Sequence, residues 1–292
     1  MPLLIIAGLA AVALTAALLL TRRRVAVGPN GTAVSDAMRP IVRRSTIMRF
    51  AGLAIGLAAA AAIVTAAPPN WLGLEAALAA PAFTLCLLAG VLIGDITGTV
   101  PTGPDRAAPI EVRSVRSYLP RFMTGAVIAL GATLAVLLTV TSRMGSADDM
   151  SRAGRFLTLS CQDLTASSGP WPGVYYSLPI AASVLIGIAV AAPALHAVTR
   201  RRRPAAGDAV RAVDDDARRA SARTIVAACG VLVAAPLTGT GLFAGTAMIG
   251  NTCATTAVTA LGWTALVLGL TAFIATCWFA AMAVFPHRAA RR

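Results

Sequence analysis

Cysteine is the residue type in this chain with the most versatile chemistry, since a thiol can pair, bind a metal or attack a carbonyl. Cys86, Cys229 and Cys277 lie singly in apolar runs, where cysteine behaves as a small hydrophobic residue. Cys161 and Cys253 lie in the polar segments "LTLSCQDLTASSGPWPGVYY" and "NTCATT". These two can pair if both segments face the same oxidising compartment, so their chemistry depends on the membrane topology.

The densest charged segment, "DAVRAVDDDARRASAR", could hold a metal or bind a partner. An Asp-Asp-x-x-Asp magnesium site is excluded, because the fifth position counted from Asp214 is Arg218. The acids instead precede arginines by four residues, Asp214 before Arg218 and Asp215 before Arg219, which favours a solvated helix. The alternative is that these four residues form a docking surface for a cytoplasmic protein.

Ionisable residues within membrane spans are functional candidates by default. Glu75, Asp95 and His196 all lie near the ends of apolar runs, so we expect them at the membrane interface and not buried. Asp95 is the best candidate for proton or ion coupling. The chain has no His-Glu-x-x-His or Gly-x-Ser-x-Gly motif, and we expect no catalytic, metal or cofactor site.

The composition indicates a chain whose main solvent is lipid. It is 57% hydrophobic and only 13% charged, whereas soluble domains carry about 25% charged residues. All 25 basic residues are arginine, which indicates a high-GC coding sequence and hence a bacterium. Without lysine, neither Schiff-base chemistry nor a Walker A phosphate cradle is possible, so any ATP that drives this protein would be bound by another subunit.

About seven apolar runs have the roughly 20 residues that a membrane-spanning helix needs. They are Pro2–Leu20, Phe50–Ala67, Leu72–Gly94, Phe122–Thr141, Ser177–Val198, Thr224–Gly250 and Val258–Pro286. We expect the first to be an uncleaved helix and not a signal peptide, because no basic residue precedes it and three arginines follow it.

The arginines orient these spans, because basic residues concentrate in cytoplasmic loops. Loops 21–49, 95–121 and 199–223 and the C-terminal tail together hold 22 arginines, whereas the outer loop 143–176 holds three. We therefore predict an all-α polytopic transmembrane bundle forming one domain, 1–292, with the N-terminus outside and the C-terminus cytoplasmic. The net charge of +13 then needs no nucleic acid, although it favours anionic lipid headgroups at the cytoplasmic face.

This topology places Cys161 and Cys253 outside, and it predicts a disulfide between them. The alternative is two unpaired thiols, one of them bonded to another chain. Trp71, Trp171 and the pair Tyr175–Tyr176 fall at the outer interface, where amphipathic rings are favoured.

Glycines recur at a spacing of four residues within several spans, which lets helices approach closely. The sets are Gly52 and Gly56, then Gly90, Gly94 and Gly98, then Gly241 and Gly245. Packing within the chain is favoured over a dedicated dimer face.

The chain resembles a group of uncharacterised multi-pass membrane proteins of high-GC Gram-positive bacteria. The resemblance covers "GDITG" with "VRSYLPR", the outer segment "LSCQDL…GPWPGVYYSLP" and "ACGVLVAAPL". It implies a bacterial plasma membrane location and no activity. We expect a non-catalytic membrane component, such as a permease-like subunit or an assembly partner of cytoplasmic proteins; the alternative is a self-contained small-molecule transporter.

Overall fold

The apolar runs fold into helices that pass between two ends of one bundle. The computed structural model describes residues 32–97, 118–200 and 208–284, in which six helices are long and apolar enough to cross a membrane. They are α1 (Thr32–Thr65), α2 (Leu74–Ile96), α3 (Arg121–Met144), α4 (Val174–Arg200), α5 (Asp208–Ile249) and α6 (Thr256–Val284). A short 3-10 helix, Pro69–Trp71, joins α1 to α2. The predicted all-α bundle is confirmed, and the predicted first span, Pro2–Leu20, lies outside the described residues.

The predicted spans match the helices within a few residues, except where α1 and α5 begin. Helix α1 has 34 residues and α5 has 42, so both start well before their apolar parts. In α5 the charged segment from Asp208 continues into the apolar run without a break, because alanine and arginine there are strong helix formers. The sequence analysis predicted a helix for this charged segment, and the structure shows that it is continuous with the membrane-spanning part; the early start of α1 was not predicted.

Helix α5 is the centre of the bundle. It contacts each of the other five helices, and 72% of its apolar segment is buried, against 28% or less in the others. Ile225, Leu232 and Leu237 are among its fully buried side chains. The other helices therefore form a layer around α5 and turn their outward faces to lipid.

Glycines permit the close approach of sequential helices. A methyl group added to Gly90 of α2 would lie 2.6 Å from the carbonyl oxygen of Met48 and 2.9 Å from the Cα of Gly52, both in α1. A methyl group on Gly241 of α5 would lie 2.7 Å from the carbonyl oxygen of Ala265 in α6. These glycines therefore allow helices of the same chain to pack closely, which the sequence analysis favoured over a dedicated dimer face.

The outer loop contains regular structure that the sequence analysis did not predict. Strands β1 (Leu157–Cys161) and β2 (Leu164–Ser168) form an antiparallel hairpin with Cys161 opposite Leu164. Gln162 in the tight turn has a φ of 50°, in the left-handed region. The alternation of apolar and polar residues in Leu-Thr-Leu-Ser along β1 could have predicted the strand, since a period of two is typical of strands.

Candidate functional site

The hairpin is fixed to the turn between α5 and α6. Cys161 and Cys253 form the predicted disulfide, with their Cα atoms 5.2 Å apart. Asn251 of that turn donates from Nδ2 to the carbonyl oxygens of Leu157 (3.3 Å) and Ala166 (3.2 Å). These bonds place both cysteine segments at the same end of the bundle, which the arginine distribution assigns to the outside.

Asp148 organises the segment that leads into the hairpin. Its carboxylate accepts hydrogen bonds from the backbone N–H of Arg152 (2.7 Å), from Arg152 Nε (2.8 Å) and from Arg155 Nη1 (2.6 Å). Burial alone would raise the pKa of Asp148, but these hydrogen bonds outweigh it and hold the pKa at about 2, below the ordinary 3.8. The sequence shows Arg152 and Arg155 soon after Asp148, but this spacing alone does not predict that one carboxylate binds both arginines.

Aromatic residues attach residues 145–173, which we call the outer cap, to the helices. Trp171 is fully buried and donates from Nε1 to the carbonyl oxygen of Thr141 at 2.7 Å. Tyr176 donates from its hydroxyl to the carbonyl oxygen of Leu72 at 2.6 Å. The sequence analysis placed both rings at the outer interface. They lie at that end of the bundle but are buried inside the protein, where their polar atoms donate to main-chain carbonyls.

An apolar cleft of about 190 Å³, which we call the outer cleft, lies beneath the outer cap between α2, α4 and α5. Small residues of α2 and α5 leave the space open; a methyl group added to Gly239 would have no neighbouring atom within 4 Å. The other lining residues include Leu72, Ala76, Trp171, Tyr176, Ile180, Thr240 and Phe243. Thr240 donates its hydroxyl to the carbonyl oxygen of Pro236 at 2.8 Å, so its polar atom is already paired.

At the opposite end of the bundle, Arg218 joins α5 to the end of α4. Its Nε lies 2.7 Å from Asp214 Oδ2, and its Nη1 donates to the carbonyl oxygens of Val198 (2.9 Å) and Thr199 (3.2 Å). The side chains of Asp214 and Arg218 are only 1% and 2% exposed. We call Asp214, Arg218 and the two carbonyls the inner clamp.

The inner clamp corrects the prediction of a solvated helix carrying two exposed ion pairs. Asp214 and Arg218 are buried and form part of the fold, so they cannot contact a partner directly. Asp215 is half-buried and accepts a hydrogen bond from Tyr118 Oη at 3.2 Å. Arg219 is exposed and pairs with Asp216 at 3.2 Å and not with Asp215. The sequence analysis could not predict which of these charged residues are buried, because it treated every charged residue near the membrane interface as exposed to water.

Asp95 also differs from expectation. It lies in the last turn of α2 but is only 3% exposed, and its Oδ1 accepts a hydrogen bond from Ser221 of α5 at 3.2 Å. The positive charge of Arg49 in α1 interacts with it electrostatically. Glu75 is partly exposed and His196 exposed, as expected. Asp95 is thus buried at the junction of three helices.

The described ranges contain no group of three or more His, Cys, Asp or Glu side chains placed to hold a metal ion. Among these residues Cys86, Cys229 and Cys277 are free thiols within helices.

No known protein family, curated protein or solved structure matches this chain.

Proposed function

We propose that this protein is a non-catalytic component of the bacterial plasma membrane, a permease-like subunit or an assembly partner that binds a cytoplasmic protein. The observation that carries the proposal is the inner clamp, which holds the charged extension of α5 in one orientation. The resemblance to multi-pass proteins of high-GC Gram-positive bacteria supports the location.

The length of α5 supports a role for its extension. At about 1.5 Å per residue, its 42 residues span about 63 Å, roughly twice the hydrocarbon thickness of a bilayer. The first turns of α5 therefore reach beyond the lipid on the arginine-rich side. Because α5 contacts all five other helices, a partner bound to this extension would be coupled mechanically to the whole bundle.

The exposed part of the extension supplies a surface for such a partner. The side chains of Asp216 and Arg219 are 74% and 51% exposed, while Asp214 and Arg218 on the other face are buried. A rigid helix that presents both charge signs can be recognised by a partner with complementary charges, which contributes specificity and association rate.

The test exchanges the charges of this surface without removing the pair. The variant Asp216→Arg/Arg219→Glu keeps an i, i+3 ion pair but reverses its direction, so the fold should be unchanged, since such pairs contribute only about 0.2–0.5 kcal/mol. A photo-crosslinker at position 219 in native membranes identifies the partner, which is then purified. We expect it to bind the exchanged variant at least tenfold more weakly than the wild type.

A control crosslinker at Leu261, an exposed residue of the apolar helix α6, should capture no cytoplasmic protein. The proposal is wrong if position 219 gives no protein adduct and the wild-type chain purifies alone from native membranes.

The alternative is a self-contained small-molecule transporter, favoured by the buried Asp95 and the outer cleft at opposite ends of the bundle. In that case Asp95 would couple transport to protons or ions. Proton flux into vesicles that contain the purified chain alone, abolished by Asp95→Asn, would support the transporter over the subunit.

A further inference from the structure

We infer that the outer cleft binds one hydrocarbon chain of a lipid in the outer leaflet. The inference does not depend on the proposed function. It follows from three properties of the cleft: its chemistry, its depth and its size.

The chemistry of the walls excludes a polar ligand. The polar side-chain atoms of Trp171, Tyr176 and Thr240 each donate to a main-chain carbonyl, at 2.7, 2.6 and 2.8 Å. A polar ligand would lose its hydration and gain few hydrogen bonds in return, which is unfavourable. A hydrocarbon chain has no hydrogen bonds to give up on entering, so it avoids this cost.

The depth of the cleft determines which apolar molecule reaches it. At about 1.5 Å per residue, Phe243 lies about 9 Å and Ala235 about 21 Å below the outer end of α5. Both line the cleft, which therefore extends from the level of the outer-leaflet chains to about the middle of the bilayer. Phe243 is 52% exposed and Ala76 on α2 is exposed, so the cleft reaches the lipid-facing surface between α2 and α5.

The size of the cleft fits a single chain. A volume of about 190 Å³ is close to that of an apolar cavity of about 150 Å³ that binds benzene. Pockets for drug-sized ligands are larger, about 300–1,000 Å³. The cleft therefore holds a segment of one chain, and the headgroup remains outside near the outer cap.

Trp171 makes this inference testable, because its ring is fully buried and lines the cleft. The experiment uses the full chain with Trp71, Trp263 and Trp278 replaced by phenylalanine, in vesicles of phosphatidylcholine brominated on its chains. Bromine quenches tryptophan fluorescence at short range, so a chain in the cleft should quench Trp171 despite its burial.

The matched variant is Gly239→Leu, whose added side chain would occupy the cleft. We expect quenching of Trp171 to fall at least twofold in this variant. Ala76→Leu fills the cleft from α2 and gives an independent measurement if Gly239→Leu does not fold. A protein with Trp263 as its only tryptophan should be quenched equally with and without Gly239→Leu.

Two results would overturn the proposal: equal quenching of Trp171 in both filled variants, or quenching by aqueous iodide without quenching by brominated lipid. A second arm adds brominated fatty acid to the protein in detergent. Saturable quenching there supports a site for the chain alone, and quenching by the phospholipid only supports a chain site to which the headgroup contributes.

Discussion

The guanidinium Nη1 of Arg218 in α5 and the main-chain carbonyl oxygen of Val198 in α4 lie 2.9 Å apart and join the two helices. Helix α4 ends at Arg200, so the carbonyl of Val198 is one of the last four, which have no partner within the helix. A cation at a helix C-terminus also interacts favourably with the helix dipole. Arg218 supplies both a hydrogen-bond donor for these carbonyls and a positive charge at the end of α4, and Asp214 balances that charge.

Removal of Arg218 should destabilise the bundle strongly. Arg218→Met leaves Asp214 buried without its arginine, and removing one partner of a buried pair costs about 3–5 kcal/mol. Arg219→Met is the matched control, because Arg219 is exposed and its pair should contribute less than about 0.5 kcal/mol. Denaturant unfolding in mild detergent measures both; equal midpoints would show that the inner clamp is not structural.

Loss of the disulfide should destabilise the outer cap. Cys161 and Cys253 are 92 residues apart, and in the chain-entropy model closing a loop of this size contributes roughly 4–5 kcal/mol, often less in practice. We expect Cys161→Ser/Cys253→Ser to unfold at lower temperature and its outer cap to be cleaved faster by protease. Thiol labelling of the denatured wild type without reductant should modify only the other three cysteines. Labelled Cys161 and Cys253 would contradict the pairing.

Acid should loosen the segment around Asp148. Its folded pKa of about 2 is below the ordinary 3.8, so its hydrogen bonds stabilise the folded state fully above about pH 4. This contribution is lost as the pH falls from about 4 towards 2. The protection of the amide hydrogens of residues 146–156, measured relative to their intrinsic exchange rate at each pH, should decrease over this range. In Asp148→Asn the same segment should exchange quickly at neutral pH, and the pH-dependent step should be absent.

Two glycine substitutions should have opposite effects. In Gly90→Ala the new methyl group would lie 2.6 Å from a main-chain oxygen of α1, so α1 and α2 must move apart. In Gly125→Ala the methyl group has no neighbour within 4 Å, and alanine is the better helix former by about 1 kcal/mol. We expect a lower thermal midpoint for Gly90→Ala and an equal or higher one for Gly125→Ala. A similar decrease in both thermal midpoints would show that the close contact at Gly90 does not determine the stability of the bundle.

The sequence by itself determined the class of this protein, because hydrophobic length and arginine distribution are local properties that need no knowledge of contacts. Those properties predicted both ends of four of the six described helices within a few residues, and for α1 and α5 they predicted only the C-terminal end. They also predicted the disulfide, since topology left Cys161 and Cys253 as the only outer cysteines.

Only the tertiary structure decided which polar residues are buried. Asp214 and Asp215 are adjacent aspartates, but Asp214 is buried and paired with Arg218, whereas Asp215 accepts a hydrogen bond from Tyr118. Trp171 is a second example. The sequence analysis placed it at the outer interface, but its indole N–H is buried and donates to the carbonyl oxygen of Thr141 inside the protein. Burial depends on which acceptors neighbouring helices bring within about 3 Å, and that is a property of packing, not of composition.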